Sequence, residues 1–331
     1  MRRWVIVLLI PALLWSGWWW LASGMVVRSV TAALEAQRAQ GRIAEVGRLE
    51  SAGFPLQLRT EVHDLALSDP GTSTGLVLPS LTLSAPTYWP GDATLMLPED
   101  VITVTTPAGP YFLRLTDGRL ELKLHPGSAL ALEAARLRSG NWQINGLSGN
   151  LLSAESLSAE ITETDAPHNS YRLKLQSTAL SPGEPLRAAA QIPTDLPDAF
   201  DAFSATLNLS FDAPLDRHAL NDAPPRPTAA QLLDLEVAWG DIRITGQADL
   251  TFNAEGVPEG TFDMRIEQWK RLIDLAVAAG LAQQTADRAR VILQAIANRG
   301  DDPETLTLPV RFQGGEMYFG TIQLGPAPHL R

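Results

Sequence analysis

Phe203, Ala205, Leu207, Leu209 and Phe211 alternate with Ser204, Thr206, Asn208, Ser210 and Asp212. Successive side chains of an extended chain point to opposite faces, so a period of two predicts a strand with one apolar and one wet face. The same pattern recurs along most of the chain. Leu56, Leu58 and Val62 are opposed by Gln57, Arg59, Glu61 and His63. Leu120, Leu122 and Leu124 follow the turn signal Asp117-Gly118. Leu157, Ala159 and Ile161 come next, then Tyr171, Leu173 and Leu175. Further on stand Leu233, Leu235, Val237 and Trp239, then Ile242, Ile244, Ala248, Leu250 and Phe252, and finally Phe262, Met264 and Ile266. Turn words such as Asp69-Pro70-Gly71, Pro90-Gly91-Asp92 and Ser181-Pro182-Gly183 separate them, as a meander requires. No helical segment lies between these strands, which excludes a parallel βαβ architecture here. The Pro-rich stretch 214–228 reads as a long loop dividing an N-terminal β section, 48–213, from a C-terminal one, 229–331.

At Ile266 the period changes to that of a helix. Ile266, Trp269, Leu272, Ile273, Ala276 and Val277 share one face, with Lys270, Arg271 and Asp274 off it. A second helix is expected from Thr285 as N-cap to Asn298, with Ala289, Ile292, Leu293 and Ile296 inward and Gly300 as the stop. The pair spans 266–298. Two last strands, Leu306–Phe312 and Met317–Leu324, are expected to pair across Gly314-Gly315.

The first residues follow a different rule. Arg2 and Arg3 precede an uncharged run, Trp4 to Val27. At about 1.5 Å per helical residue this run is long enough to cross a hydrocarbon core of roughly 30 Å. A signal peptide cut near Ala22-Ser23-Gly24 and a retained signal anchor both fit. The triplet Trp18, Trp19 and Trp20 favours the anchor, because indoles settle at the membrane–water interface and signal peptidase wants small side chains. Residues 1–27 are thus expected to be an inner-membrane anchor. A helical stalk over 28–47 would follow, with the body exported to the periplasm, and the inner membrane itself would be the first partner.

Composition narrows the chemistry. The chain has 331 residues, no cysteine and a formal net charge of −11. Disulfides, zinc–thiolate sites and thiol nucleophiles are excluded, and the acidic balance argues against nucleic acid as a partner. The five histidines, His63, His125, His168, His218 and His329, are scattered. HExxH, GxSxG, the P-loop and a strand–helix GxGxxG are all absent. Acid pairs such as Glu99-Asp100 and Asp301-Asp302 flank proline and read as loop charges. No cofactor is expected, and no catalytic residue is assigned. The most distinctive local word is Gly53-Phe54-Pro55, which reads as a β-entry turn.

Several of these words together resemble an alphaproteobacterial envelope family catalogued as domain-of-unknown-function family 2125. They are the Trp-rich N-terminal run, Ser51-Ala52-Gly53-Phe54-Pro55, the strand Leu235-Glu236-Val237-Ala238-Trp239, the helix pair after Trp269, and Leu306-Thr307-Leu308-Pro309 with Gly314-Gly315 and Leu324-Gly325-Pro326. That family in turn resembles AsmA-like envelope proteins. The resemblance implies one N-terminal helix, a long curved β-sheet with an apolar inner groove, and a part in moving or organising lipids between membranes. It brings no catalytic residues. Roughly twelve strands at about 4.8 Å spacing would span ~60 Å, short of a cell envelope.

The expectation is a mainly β protein with a long, strongly curved antiparallel sheet or groove, one N-terminal transmembrane helix and a C-terminal helical hairpin. Two short helices are too few to cover every Leu-rich face. The groove is therefore expected along Leu120, Leu122, Leu124, Leu173, Leu175, Leu207, Leu209, Phe211, Leu235 and Val237. An open groove would take lipid or another apolar ligand. A filled sandwich would instead make the protein a non-catalytic scaffold or assembly factor that docks envelope proteins. An envelope enzyme is the last alternative, for want of any nucleophile, metal or cofactor constellation.

Overall fold

The computed structural model describes residues 41–328 apart from positions 90, 128, 222–224, 301 and 321, together with scattered positions from Ser16 to Ala39. Those scattered positions are helical. The expected anchor, with Trp18, Trp19 and Trp20, lies outside the described residues apart from Ser16 and Gly24. Among the described residues no helix is long and apolar enough to cross a membrane. From Ile43 onward the protein is mainly antiparallel β-structure with few helices. The chain divides into two compact units, Met1–Pro126 with Ala135–Leu147, and Gly127–Ala134 with Ser148–Arg331.

The first unit is built on the hairpin of β3 (Gln57–Asp69) and β4 (Thr74–Pro86), which pair from Gln57↔Pro86 to Asp69↔Thr74. Two short strands share the outer edge of β3. β1 (Ile43–Glu45) pairs with Ala66–Ser68 and β2 (Arg48–Ala52) with Arg59–His63. The stalk expected to reach Gly47 thus ends earlier. Ile43 belongs to a strand, held at the end of β3 by the Arg42 Nε–Asp69 Oδ2 ion pair at 3.2 Å. Beyond β4 the sheet forks. One branch holds β5 (Asp92–Met96), which pairs with β8 (Arg119–Leu124). The other holds β6 (Ile102–Thr106), then β7 (Gly109–Leu115), then β10 (Trp142–Gly146). Leu58, Val62, Leu78, Ile102, Leu115 and Trp142 form the buried interior. Leu56, read as a strand residue, instead sits in the β2–β3 turn and is 70% exposed. β9 (Leu132–Ser139) starts within the sequence range of the second unit and ends within that of the first.

The second unit opens with β11 (Gly149–Ala154), which pairs with the short β14 (Ser181–Pro182). Its body is a nine-stranded meander in which each strand pairs with the next: β12 (Ser156–Glu163), β13 (Ser170–Thr178), β15 (Ala202–Phe211), β16 (Pro227–Trp239), β17 (Ile242–Phe252), β18 (Pro258–Glu267), β19 (Thr305–Gln313), β20 (Glu316–Phe319) and β21 (Ile322–Pro326). Short helices α1 (Glu184–Ala189) and α2 (Arg217–Asn221) lie in connections. The Pro-rich stretch is therefore no domain boundary. It is an excursion between β15 and β16, which pair directly from Ser210↔Ala229 to Ala202↔Ala238. Proline and polar residues mark a surface connection, whatever it connects.

Helices α3 (Trp269–Ala278) and α4 (Gln283–Ala297) are inserted between the adjacent strands β18 and β19. α3 starts three residues later than its apolar period suggests. Ile266 is still in β18, and Gln268 turns the chain with φ 56°. α4 is capped by Ala282, not Thr285. Gly314 and Gly315, with φ 61° and 80°, make the two-residue β19–β20 turn that favours positive φ at both positions. The last expected strand is two, broken at Gly320 with φ 59°.

Candidate functional site: the apolar face of the second unit

Reading the pairing register across the meander shows how its apolar residues line up. One row runs Ile161–Leu173–Leu207–Leu232–Ala248–Phe262–Val310–Phe319. The next runs Ala159–Leu175–Ala205–Leu235–Gly246–Met264–Leu308, and a third Phe203–Val237–Ile244–Ile266–Leu306. The opposite face carries rows such as Arg172–Asn208–Gln231. Arg172 Nε donates to Asn208 Oδ1 at 3.0 Å, and Asn208 Nδ2 donates to Gln231 Oε1 at 3.3 Å. Alternation thus yields one apolar surface and one polar one.

A bulge on β16 keeps this surface continuous. Leu232 pairs with Ala248 and Leu235 with Gly246, so three residues of β16 span what two span on β17. The extra residue resets the parity and brings both Leu232 and Leu235 to the apolar side. Simple alternation would have put Leu233 there. At Gly246 the row has no side chain. A Cβ there would lie 2.8 Å from the Phe262 ring, which occupies that space.

Helices α3 and α4 cover only part of this face. They pack over β17–β19, where Ile266, Trp269, Ile273, Ala286, Ala297 and Leu306 are buried, with Ile244, Met264, Leu293 and Leu308 against them. Trp239, Leu196 and Ile242 close one end, with Phe200 stacked on the Trp239 ring at a centroid distance of 4.6 Å. Tyr171 lies at the opposite end of these strands. It is 1% exposed, edge-on to Phe211, and its hydroxyl accepts the Leu215 N–H at 3.0 Å. Burial raises its pKa above the usual phenol value, partly offset by that hydrogen bond.

Among the described residues α3 and α4 pack on β17 and β19, and no helix packs comparably across β12, β13, β15 and β16. Leu173, Leu175, Leu207, Leu209, Phe211, Leu235 and Val237 are all half-buried there, as are Ile161 and Leu232. Beneath the helices Ile266 and Leu306 are buried, while Ile244, Met264 and Leu308 are half-buried as well, so the helices bury the centre of their patch and not all of it. The register brings seven of the expected groove residues together on this one surface. Leu120, Leu122 and Leu124 are also half-buried, but lie on β8 of the first unit, where Leu120 pairs with Leu95 and Leu122 with Ala93.

A feature that strand periodicity does not reveal lies where α4 meets the C-terminal strands. A cleft of about 200 Å³ is lined by Ala289, Ile292, Leu293, Ile296, Leu308, Val310, Phe319 and Leu324. Every lining side chain is apolar. Ile292 and Leu324 are 46% and 53% exposed. The spacing of Ala289, Ile292, Leu293 and Ile296 marks an apolar helix face, and only the three-dimensional packing leaves a gap beside it. Among the described residues no group of three His, Asp or Glu side chains is placed to hold a metal ion.

A long antiparallel meander with one apolar face and few helices to cover it defines a class of β-protein that presents an apolar surface. The chain matches, over residues 19–328, the model of the family described as "Uncharacterized protein conserved in bacteria (DUF2125)", and it belongs to that family. No curated protein matches it.

Proposed function

We propose that this protein binds lipid or another apolar ligand on the open half of the second unit's apolar face, in envelope lipid organisation or transport. The observation that carries the reading is the half-burial of Leu173, Leu207, Leu235 and Val237 on strands that, among the described residues, lack a helical cover like that of α3 and α4 on β17–β19. A contiguous apolar surface left partly open to water normally marks a binding surface. Each methylene of a chain laid against it gains about 0.8 kcal/mol, so even a partly inserted acyl chain reaches micromolar affinity. The all-apolar cleft beside α4 offers such a chain a second foothold.

In this reading the run Trp4 to Val27 is a single inner-membrane anchor, the body lies in the periplasm, and the role is non-catalytic. A relationship to AsmA-like envelope proteins would fit it, since those carry one N-terminal helix and a grooved sheet. The test is native mass spectrometry of the detergent-extracted full chain, beside Val237→Glu and Leu207→Glu variants. Co-purifying lipid lost in both variants, with circular dichroism unchanged, is expected. A lipid-free wild type would sink the reading and favour a scaffold that docks envelope proteins.

A further inference from the structure

The word Gly53-Phe54-Pro55 has a counterpart in space. Gln57 pairs with Pro86, so the β2–β3 turn and the segment after β4 form one tip of the first unit. Phe54, Leu56 and Tyr88 are 55%, 70% and 74% exposed on it. Neither stretch, 51–57 or 84–91, holds a charged residue. The tip is firmly built. Thr87 is fully buried, its N–H donates to the Leu56 carbonyl at 3.1 Å, and its hydroxyl donates to the Pro55 carbonyl at 3.3 Å. Trp89 folds over Gly91, where any Cβ would collide with the indole.

We propose that this tip inserts into the interface of a phospholipid bilayer. Three properties select a bilayer over a protein partner. Large apolar and aromatic side chains project at adjacent turns, and Tyr and Trp suit the headgroup boundary. Charge, which would be costly at that depth and which steers protein docking, is absent from both stretches. Several of the tip's amides are already used. Gln57 N–H donates to the Gly53 carbonyl at 3.0 Å and Trp89 N–H to the Pro86 carbonyl at 3.2 Å, while Pro55 has no N–H. Backbone groups paired within the tip lower the cost of entering lipid and leave fewer for a partner strand. This site is separate from the ligand face of the second unit and does not depend on it. The tip lies at the opposite end of β3 from the Ile43–Glu45 pairing, about 35 Å along the strand.

The chain has no cysteine, so single-cysteine labelling needs no background removal. The full chain carrying Leu56→Cys with an environment-sensitive fluorophore is mixed with phosphatidylethanolamine–phosphatidylglycerol vesicles. Glu99→Cys, at an exposed loop position, serves as the comparison. The expected result is a blue shift at position 56 together with quenching by doxyl-labelled phospholipid, neither occurring at position 99. Adding Tyr88→Asp to Leu56→Cys should abolish both signals. A label that stays in water overturns the proposal. So does a blue shift without quenching, which would mean that protein covers the tip.

Discussion

The Trp269 indole donates its Nε1–H to the Pro303 carbonyl at 3.1 Å, joining the first turn of α3 to the residues just before β19. Trp239 makes the matching bond to the Pro197 carbonyl at 2.8 Å. In both cases a tryptophan, Trp239 at the end of β16 and Trp269 at the start of α3, pins an excursion to the sheet. Trp269 is 2% exposed, and Lys270 sits 5.7 Å from its ring centroid while pairing with Glu304 at 2.6 Å. The helical insert is therefore fastened at its neck as well as along its length.

Trp269→Ala should cost about 3–5 kcal/mol, the range for removing a large buried aromatic. Trp269→Phe keeps most of the volume and loses the hydrogen bond, worth about 1 kcal/mol. Urea denaturation midpoints of the two variants check the ordering. Equal losses would mean that the bond, not the ring, holds the neck.

Gly260 faces Leu250 on one side and Phe312 on the other, with φ 138°. A Cβ there would run into the Asp249 carbonyl oxygen. Gly260→Ala should destabilise by roughly 1–3 kcal/mol through strain and displaced backbone. Thermal unfolding measures it. Gly314→Ala, where a Cβ meets open space, should cost less.

Ala289→Leu should fill much of the cleft beside α4. Fluorescence of a polarity-sensitive apolar dye should fall, while the unfolding midpoint stays level or rises, because the new side chain meets Ile292, Leu308 and Val310. Unchanged dye binding would place the dye elsewhere, with the open β12–β16 surface the next region to probe.

The raised pKa of Tyr171 makes stability depend on alkali. A phenol whose folded pKa lies above its unfolded value of about 10 contributes fully below that value and loses its contribution as pH rises through the folded one. Tyr171→Phe should flatten the alkaline limb of the stability profile. It should also free the Leu215 amide, visible as faster hydrogen exchange there.

Asp302 works in the opposite sense. The Glu304 N–H at 3.0 Å and the Thr305 hydroxyl at 2.8 Å hold its carboxyl below the usual range. Its contribution is present above the unfolded value of about 3.9 and is lost as pH falls through the lower folded one. Asp302→Asn should make the unfolding midpoint less sensitive to pH in that window.

Much of the second unit was legible because alternation is a local property. Leu173, Leu207 and Val237 each sit on the face that their neighbours' polarity assigns. Leu232 did not, because a bulge adds a residue and reverses parity without any composition signal. Leu56 fits the alternation equally well and lies in a turn. The Pro-rich loop was legible as a loop and illegible as an internal one, since strand partners are chosen by pairing across the sheet.

By itself, then, the sequence determined the period of each element, the polarity of each face, and the glycine turn at Gly314-Gly315. Those depend on the geometry of a few adjacent residues and on which side chains water rejects. Tertiary structure alone decided which strands became neighbours, and that α3 and α4 pack over β17–β19 rather than over β12–β16. It also brought Phe54 and Leu56 together with Tyr88 on one tip. Coverage and proximity arise from contacts between residues far apart in the chain, and no local periodicity encodes them.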